Sequence, residues 1–192
     1  MKHKFFTLTA ATKEYMPRAL ELKESGLKHG VEIQIVELEE IHRSISPKGL
    51  LLSQNTKAHL ILEKLREVEA PVLWLDSDVT IENTPVLLDK ILEDRVDLAI
   101  YNWLYDARNA ALKKSTYKDF AGRVLSSDRF FEHSHEITMT SQNQLICSGA
   151  VQLWNNNRKS IKLLEAWNAL VRDNPKCQDD HMLDAAFNYS SD

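Results

Sequence analysis

"VLWLDSDVTIEN", residues 72 to 83, runs four apolar residues, Val72 to Leu75, straight into Asp76, Ser77 and Asp78. An apolar run without alternation reads as a strand buried on both faces, as in a parallel sheet wrapped by helices. Side chains two apart on an extended backbone point to one side, so the carboxylates of Asp76 and Asp78 face a common point. Like charges held close at the edge of a core repel unless something positive sits between them. A divalent cation meets that need most simply, and oxygen ligands favour Mg²⁺ or Mn²⁺ over soft metals. In an open α/β sheet, ligands bind beyond the carboxyl ends of the strands, which is where this pair falls. The competing reading makes one Asp a cap for the helix near Pro85 and leaves the other solvated.

Upstream, Phe5 to Ala10 reads as a strand, followed by a helix with apolar residues at Tyr15, Ala19 and Leu22 that Gly30 stops. Residues 31 to 38 (VEIQIVEL) read as a second strand. After a polar connection with Ser46, Pro47 and Gly49, the stretch from Asn55 to Val68 sets Ala58, Ile61, Leu62 and Leu65 on one helical face. Pro71 closes it before the VLWL strand. Two strand–helix–strand units in succession predict an α/β domain with a mostly parallel sheet and helices on both faces.

Downstream, a short helix after Pro85 leads to a strand at 96 to 101, and LICSGAVQLW (145 to 154) is a strand interrupted by Ser148 and Gly149. A helix carrying Ile161, Leu164 and Trp167 follows, and CQDDHMLDAAFNY ends in a last helix. Asn102 to Thr140 has mixed charge and no clear period, and reads as irregular or antiparallel structure of the kind that carries specificity. There His133 and His135 read as solvated histidines, and Lys113, Lys114, Lys118 and Arg123 as a basic cluster. A peripheral contact with an acidic glycan or phospholipid surface is the functional alternative for that cluster.

The chain of 192 residues, with 43% hydrophobic content, is of a length to bury one sizeable core, so a single domain over 1–192 is expected. A net charge of −4 and a pI near 6.0 leave no electrostatic footprint for nucleic acid. The two cysteines, Cys147 and Cys177, lack metal-ligand spacing and read as free thiols of a reducing compartment. No run approaches the ~20 apolar residues of a membrane span. The stretch after the basic start is too short for a signal-peptide core, so a cytoplasmic location is expected.

With VLWLDSDV, CSGAVQLW and QDDHMLDAAF in this order, the sequence resembles the nucleotide-diphospho-sugar transferases of the GT-A fold, near glycosyltransferase families eight and seventy-seven. The resemblance implies a hexosyltransferase that moves a sugar from a nucleotide-diphosphate donor, a UDP-linked hexose, to a hydroxyl acceptor such as a glycan. It implies that Asp78 holds Mn²⁺ or Mg²⁺, with Asp76 a second ligand or a hydrogen-bond acceptor for ribose. Ser77 lies within the same motif, and Lys57, near the start of the preceding helix, stands where such enzymes carry a cation that touches the donor. Thr9, Ala10 and Ala11 match the place of nucleobase and ribose, and Ser148 and Gly149 the place where a sugar approaches the backbone. Asp179 and Asp180 match the pair beside the anomeric carbon, with Asp180 favoured to orient the acceptor hydroxyl or act as base. The implied division is a donor half over about 1–100 and an acceptor half over about 101–192.

Two alternatives belong to other classes. The letters D-S-D-V-T also fit the first motif of haloacid-dehalogenase-type phosphatases, with Asp76 as nucleophile and Asp78 as general acid. That family sets its final acid pair after an apolar strand, whereas Arg172 to Gln178 cannot make one. The second alternative is a non-catalytic module that binds a nucleotide sugar.

Overall fold

The computed structural model describes residues 3–38, 56–102, 147–173 and 179–189, without the side chains of Asn102, Ser148, His181, Asn188 and Tyr189. His133, His135, the basic cluster of Lys113, Lys114, Lys118 and Arg123, and Cys177 lie outside these residues. The elements are β1 (Phe6–Ala11), α1 (Met16–Lys28), β2 (Ile33–Glu37), α2 (Lys57–Val68), β3 (Val72–Leu75), α3 (Val86–Glu93), β4 (Leu98–Asn102), β5 (Cys147–Trp154), α4 (Arg158–Asp173) and α5 (Asp179–Tyr189).

The five strands form one sheet in the order β2-β1-β3-β5-β4. β1 pairs in parallel with β2 and β3, while β5 runs antiparallel between β3 and β4. The sheet is therefore mixed, with β5 reversed among four strands of common direction. That reversal lies beyond what apolar patterning encodes, because a buried strand reads alike in either direction.

Alternation within β3 explains why both faces are covered. Val72 and Trp74 enter a core shared with Leu8, Trp154 and residues of α2, α4 and α5, such as Ile61, Leu164, Trp167 and Leu183. Leu73 and Leu75 enter a second core with Leu22, Ile33 and Leu153, against which Leu88 and Ile91 of α3 also pack. All four β3 residues are buried. The helix ends follow local chemistry: Gly30 takes a positive φ of 77° just past α1, and the side chain of Asn157 accepts the Lys159 and Ser160 N–H groups at the start of α4. Trp154 and Trp167 stack 6.0 Å apart and lock α4 onto β5. Among the described residues, no helix is long and apolar enough to cross a membrane.

Candidate functional site

Where β1 and β3 end, the sheet opens on a cavity of about 420 Å³. Its lining includes Ala10, Lys57, Asp76, Ser77, Asp78, Asp179 and Asp180, residues brought from β1, α2, the turn after β3 and the first turn of α5. The turn itself is built by backbone bonds. The Asp76 N–H donates to the Ala150 carbonyl at 2.8 Å, and the Asp76 carbonyl accepts from Val79 N–H at 3.1 Å. β5 thus carries the β3 pairing as far as Asp76, and Ser77 and Asp78 turn out over the cavity.

Lys57 stands at the centre. Its ammonium donates to the Gly149 carbonyl at 3.1 Å and forms ion pairs with Asp76 Oδ1 at 2.9 Å and Asp179 Oδ2 at 3.2 Å. The Lys57 side chain is only 7% exposed, against 32% for Asp76 and 9% for Asp179. A lysine this deep persists when paired, and here two carboxylates and a carbonyl surround it. Burial alone lowers the Lys57 pKa, but the charges of Asp179 and Asp76 outweigh it and the net direction is upward. Burial pushes the Asp179 carboxyl above the usual carboxylate range, with Lys57 pulling the other way. The approach of Lys57 to Asp179 Oδ2 is ionic, and among the described residues that buried oxygen has no hydrogen-bond donor.

The acidic end of α5 is held from behind. Trp167 Nε1–H donates to the Asp179 carbonyl at 2.6 Å, tying α4 to the first turn of α5. The Cys147 N–H donates to Asp184 Oδ1 at 2.8 Å, which ties α5 to the start of β5. The Cys147 thiol is buried beside the Asp180 carbonyl, 3.6 Å away. Burial and the nearby Asp184 push this thiol up, which disfavours the thiolate.

The site candidates do not all gather at the cavity. Thr9 is fully buried in β1 with an Oγ1 that has no hydrogen-bond partner among the described residues, and its neighbours Ala10 and Ala11 line the cavity. Gly149 lies beneath Lys57, where a Cβ would come within 3.0 Å of Nζ. The Ser148 backbone belongs to β5, and its side chain and that of His181 lie outside the described set.

The donor chemistry fits a hard divalent cation in one limited sense. Asp76 and Asp78 bring carboxylate oxygens to one cavity, and Mg²⁺ commonly takes one or two carboxylates, with water and phosphate oxygens completing its shell. No cluster of three or more His, Cys, Asp or Glu side chains suited to a metal occurs among the described residues.

Trp74 is the site residue that the sequence reading passed over. Its indole N–H donates to Asp76 Oδ1 at 2.7 Å, and its ring lies under the Lys57 ammonium at 5.6 Å. Strand period carries Trp74 and Asp76 to one side at the end of β3, whereas Ser77 and Asp78 lie in the turn that follows, so the extended alignment expected for Asp76 and Asp78 is replaced by a turn.

No protein-family model matches the chain, and no curated protein matches it in sequence. Among solved structures, the galactosyltransferase LgtC in complex with donor and acceptor sugar analogues is similar. Identity is 14%, the alignment covers 95% of this chain and 70% of that one, and the TM-score is 0.49.

Proposed function

We propose that the protein is a metal-dependent glycosyltransferase that moves a hexose from a nucleotide-diphosphate donor, UDP-linked, to a hydroxyl acceptor. The observation that supports this reading is the meeting of Asp76, Asp78, Asp179, Asp180 and Lys57 on one cavity at the carboxyl ends of β1 and β3. Asp78, with Asp76, would hold the divalent cation, which when bound neutralises charge gathering on the departing nucleoside diphosphate. Lys57 sets a fixed positive charge against Asp76 and Asp179, preorganised by burial, and contributes to donor binding. Ala10 offers a small wall beside the nucleoside. Asp180, half-buried in the first turn of α5, orients the acceptor hydroxyl and accepts its proton, while Asp179 steadies Lys57. The donor half would then be about residues 1–100 and the acceptor half about 101–192.

The test is a thermal-shift titration with UDP, GDP, their sugar conjugates and inorganic pyrophosphate, each with and without Mn²⁺. A ligand at a hundred times its Kd adds about 2.7 kcal/mol, a rise of roughly 5 to 10 °C for a chain of this length. The expected result is a Mn²⁺-dependent rise confined to one nucleotide and abolished in Asp78→Ala. A response to beryllofluoride without any nucleotide shift would replace this reading with the phosphatase.

A further inference from the structure

Among the described residues, a hydrogen bond and an ion pair meet on one oxygen of Asp76. Trp74 Nε1–H donates to Oδ1 at 2.7 Å, and the Lys57 ammonium pairs with the same oxygen at 2.9 Å. The donors brace each other, because the ammonium also lies 5.6 Å over the face of the Trp74 ring. Trp74 is 4% exposed and wedged into the core of α2, α4 and α5, so its N–H direction is set by packing. A carboxylate gripped through one oxygen by a rigid donor cannot spin about its last torsion without breaking a charge-assisted bond.

We propose that Trp74 is a positioning residue of this site. By holding Oδ1 of Asp76 it presents a single oxygen, Oδ2, to whatever binds in the cavity. Asp76 is thereby a one-oxygen acceptor rather than a two-oxygen chelator, and the geometry of the acidic pair is decided two residues before it. The consequence for binding rests on the donor-binding reading above; the grip on Asp76 stands independently of it.

Trp74→Phe keeps an aromatic ring in the core but removes the N–H together with the second ring, so some loss of stability accompanies the loss of the hydrogen bond. In ¹H–¹⁵N spectra of the full chain, the Trp74 indole resonance, assigned by its loss in Trp74→Phe, should lie downfield and move upfield in Asp76→Asn. An indole resonance unmoved by Asp76→Asn overturns the proposal, with or without any ligand. Calorimetry with UDP at saturating Mn²⁺ then reads the consequence. With binding measured well below the Tm of each variant, Trp74→Phe should weaken it about tenfold and should add nothing to the loss in Asp76→Asn. Losses that add in the double variant, or unchanged affinity in Trp74→Phe, would show that Trp74 is only a core residue. A wild-type protein that ignores Mn²⁺ and UDP while showing the indole shift would discard the donor reading and leave the grip on Asp76 standing.

Discussion

Lys57 replaces, within the protein itself, part of the positive charge that a carboxylate pair on a strand end demands. Removing one partner of a buried ion pair leaves the other uncompensated, at a cost of about 3–5 kcal/mol. Lys57→Met strips the cation from both Asp76 and Asp179. We therefore expect Tm to fall on the order of 10 °C, with part recovered in Lys57→Met/Asp179→Asn, whereas a fall under about 2 °C would show that the ammonium contributes nothing net. The direction with pH follows from the raised Lys57 pKa. This contribution is complete below the ordinary lysine value and is lost as pH rises through the higher folded value. Within the site, the strand end and its acidic residues were legible from the apolar run, while the hydrogen bond from Trp74 to Asp76 and the burial of Lys57 were not. A lysine one residue into a helix reads equally as solvated, and only its partners decide.

At the scale of elements, α1 meets β2 through a glycine. Gly26 is buried, its carbonyl accepts from Val31 N–H, and a Cβ there would lie 2.8 Å from Ile33 Cδ1 and 2.9 Å from the Val31 carbonyl oxygen. The methyl cannot move a backbone oxygen cheaply, so overpacking defeats the better helix propensity of alanine. Gly26→Ala should lower stability by about 1–3 kcal/mol, read as an earlier midpoint in urea with an unchanged slope. An equal or later midpoint would mean that α1 shifts freely on the sheet. The order of strands and helices was readable from periodicity, and so was the double burial of β3. The antiparallel direction of β5 was not, because it depends on which strand edge receives the chain after residues that no pattern connects.

For the whole molecule, buried carboxylates set how stability runs with pH. Burial pushes Asp184 well above the ordinary carboxylate range, against the hydrogen bond from Cys147, and Asp179 is raised in the same direction. A raised folded pKa means that the native state binds protons the unfolded chain has released, so stability falls as pH rises from the ordinary carboxyl value toward the folded one. Asp184→Asn keeps an acceptor for the Cys147 N–H and removes this charge. Its Tm relative to wild type should climb between pH 4 and pH 7, measured by calorimetry; a constant difference across that window would show that Asp184 does not titrate on unfolding.

The sequence by itself determined that two strand–helix–strand units precede an acidic pair at the end of a strand buried on both faces. Those features are local, carried by the spacing of apolar residues around Val72–Leu75 and by the acidic residues that follow them directly in sequence. Only the tertiary structure decided which charge answers the pair. Lys57 reaches Gly149, 92 positions away, and Asp179 beyond it, because α2, β5 and α5 converge on one cavity. The choice of counter-ion depends on desolvation and on distances across that convergence, and neither is written in the periodicity of any one segment.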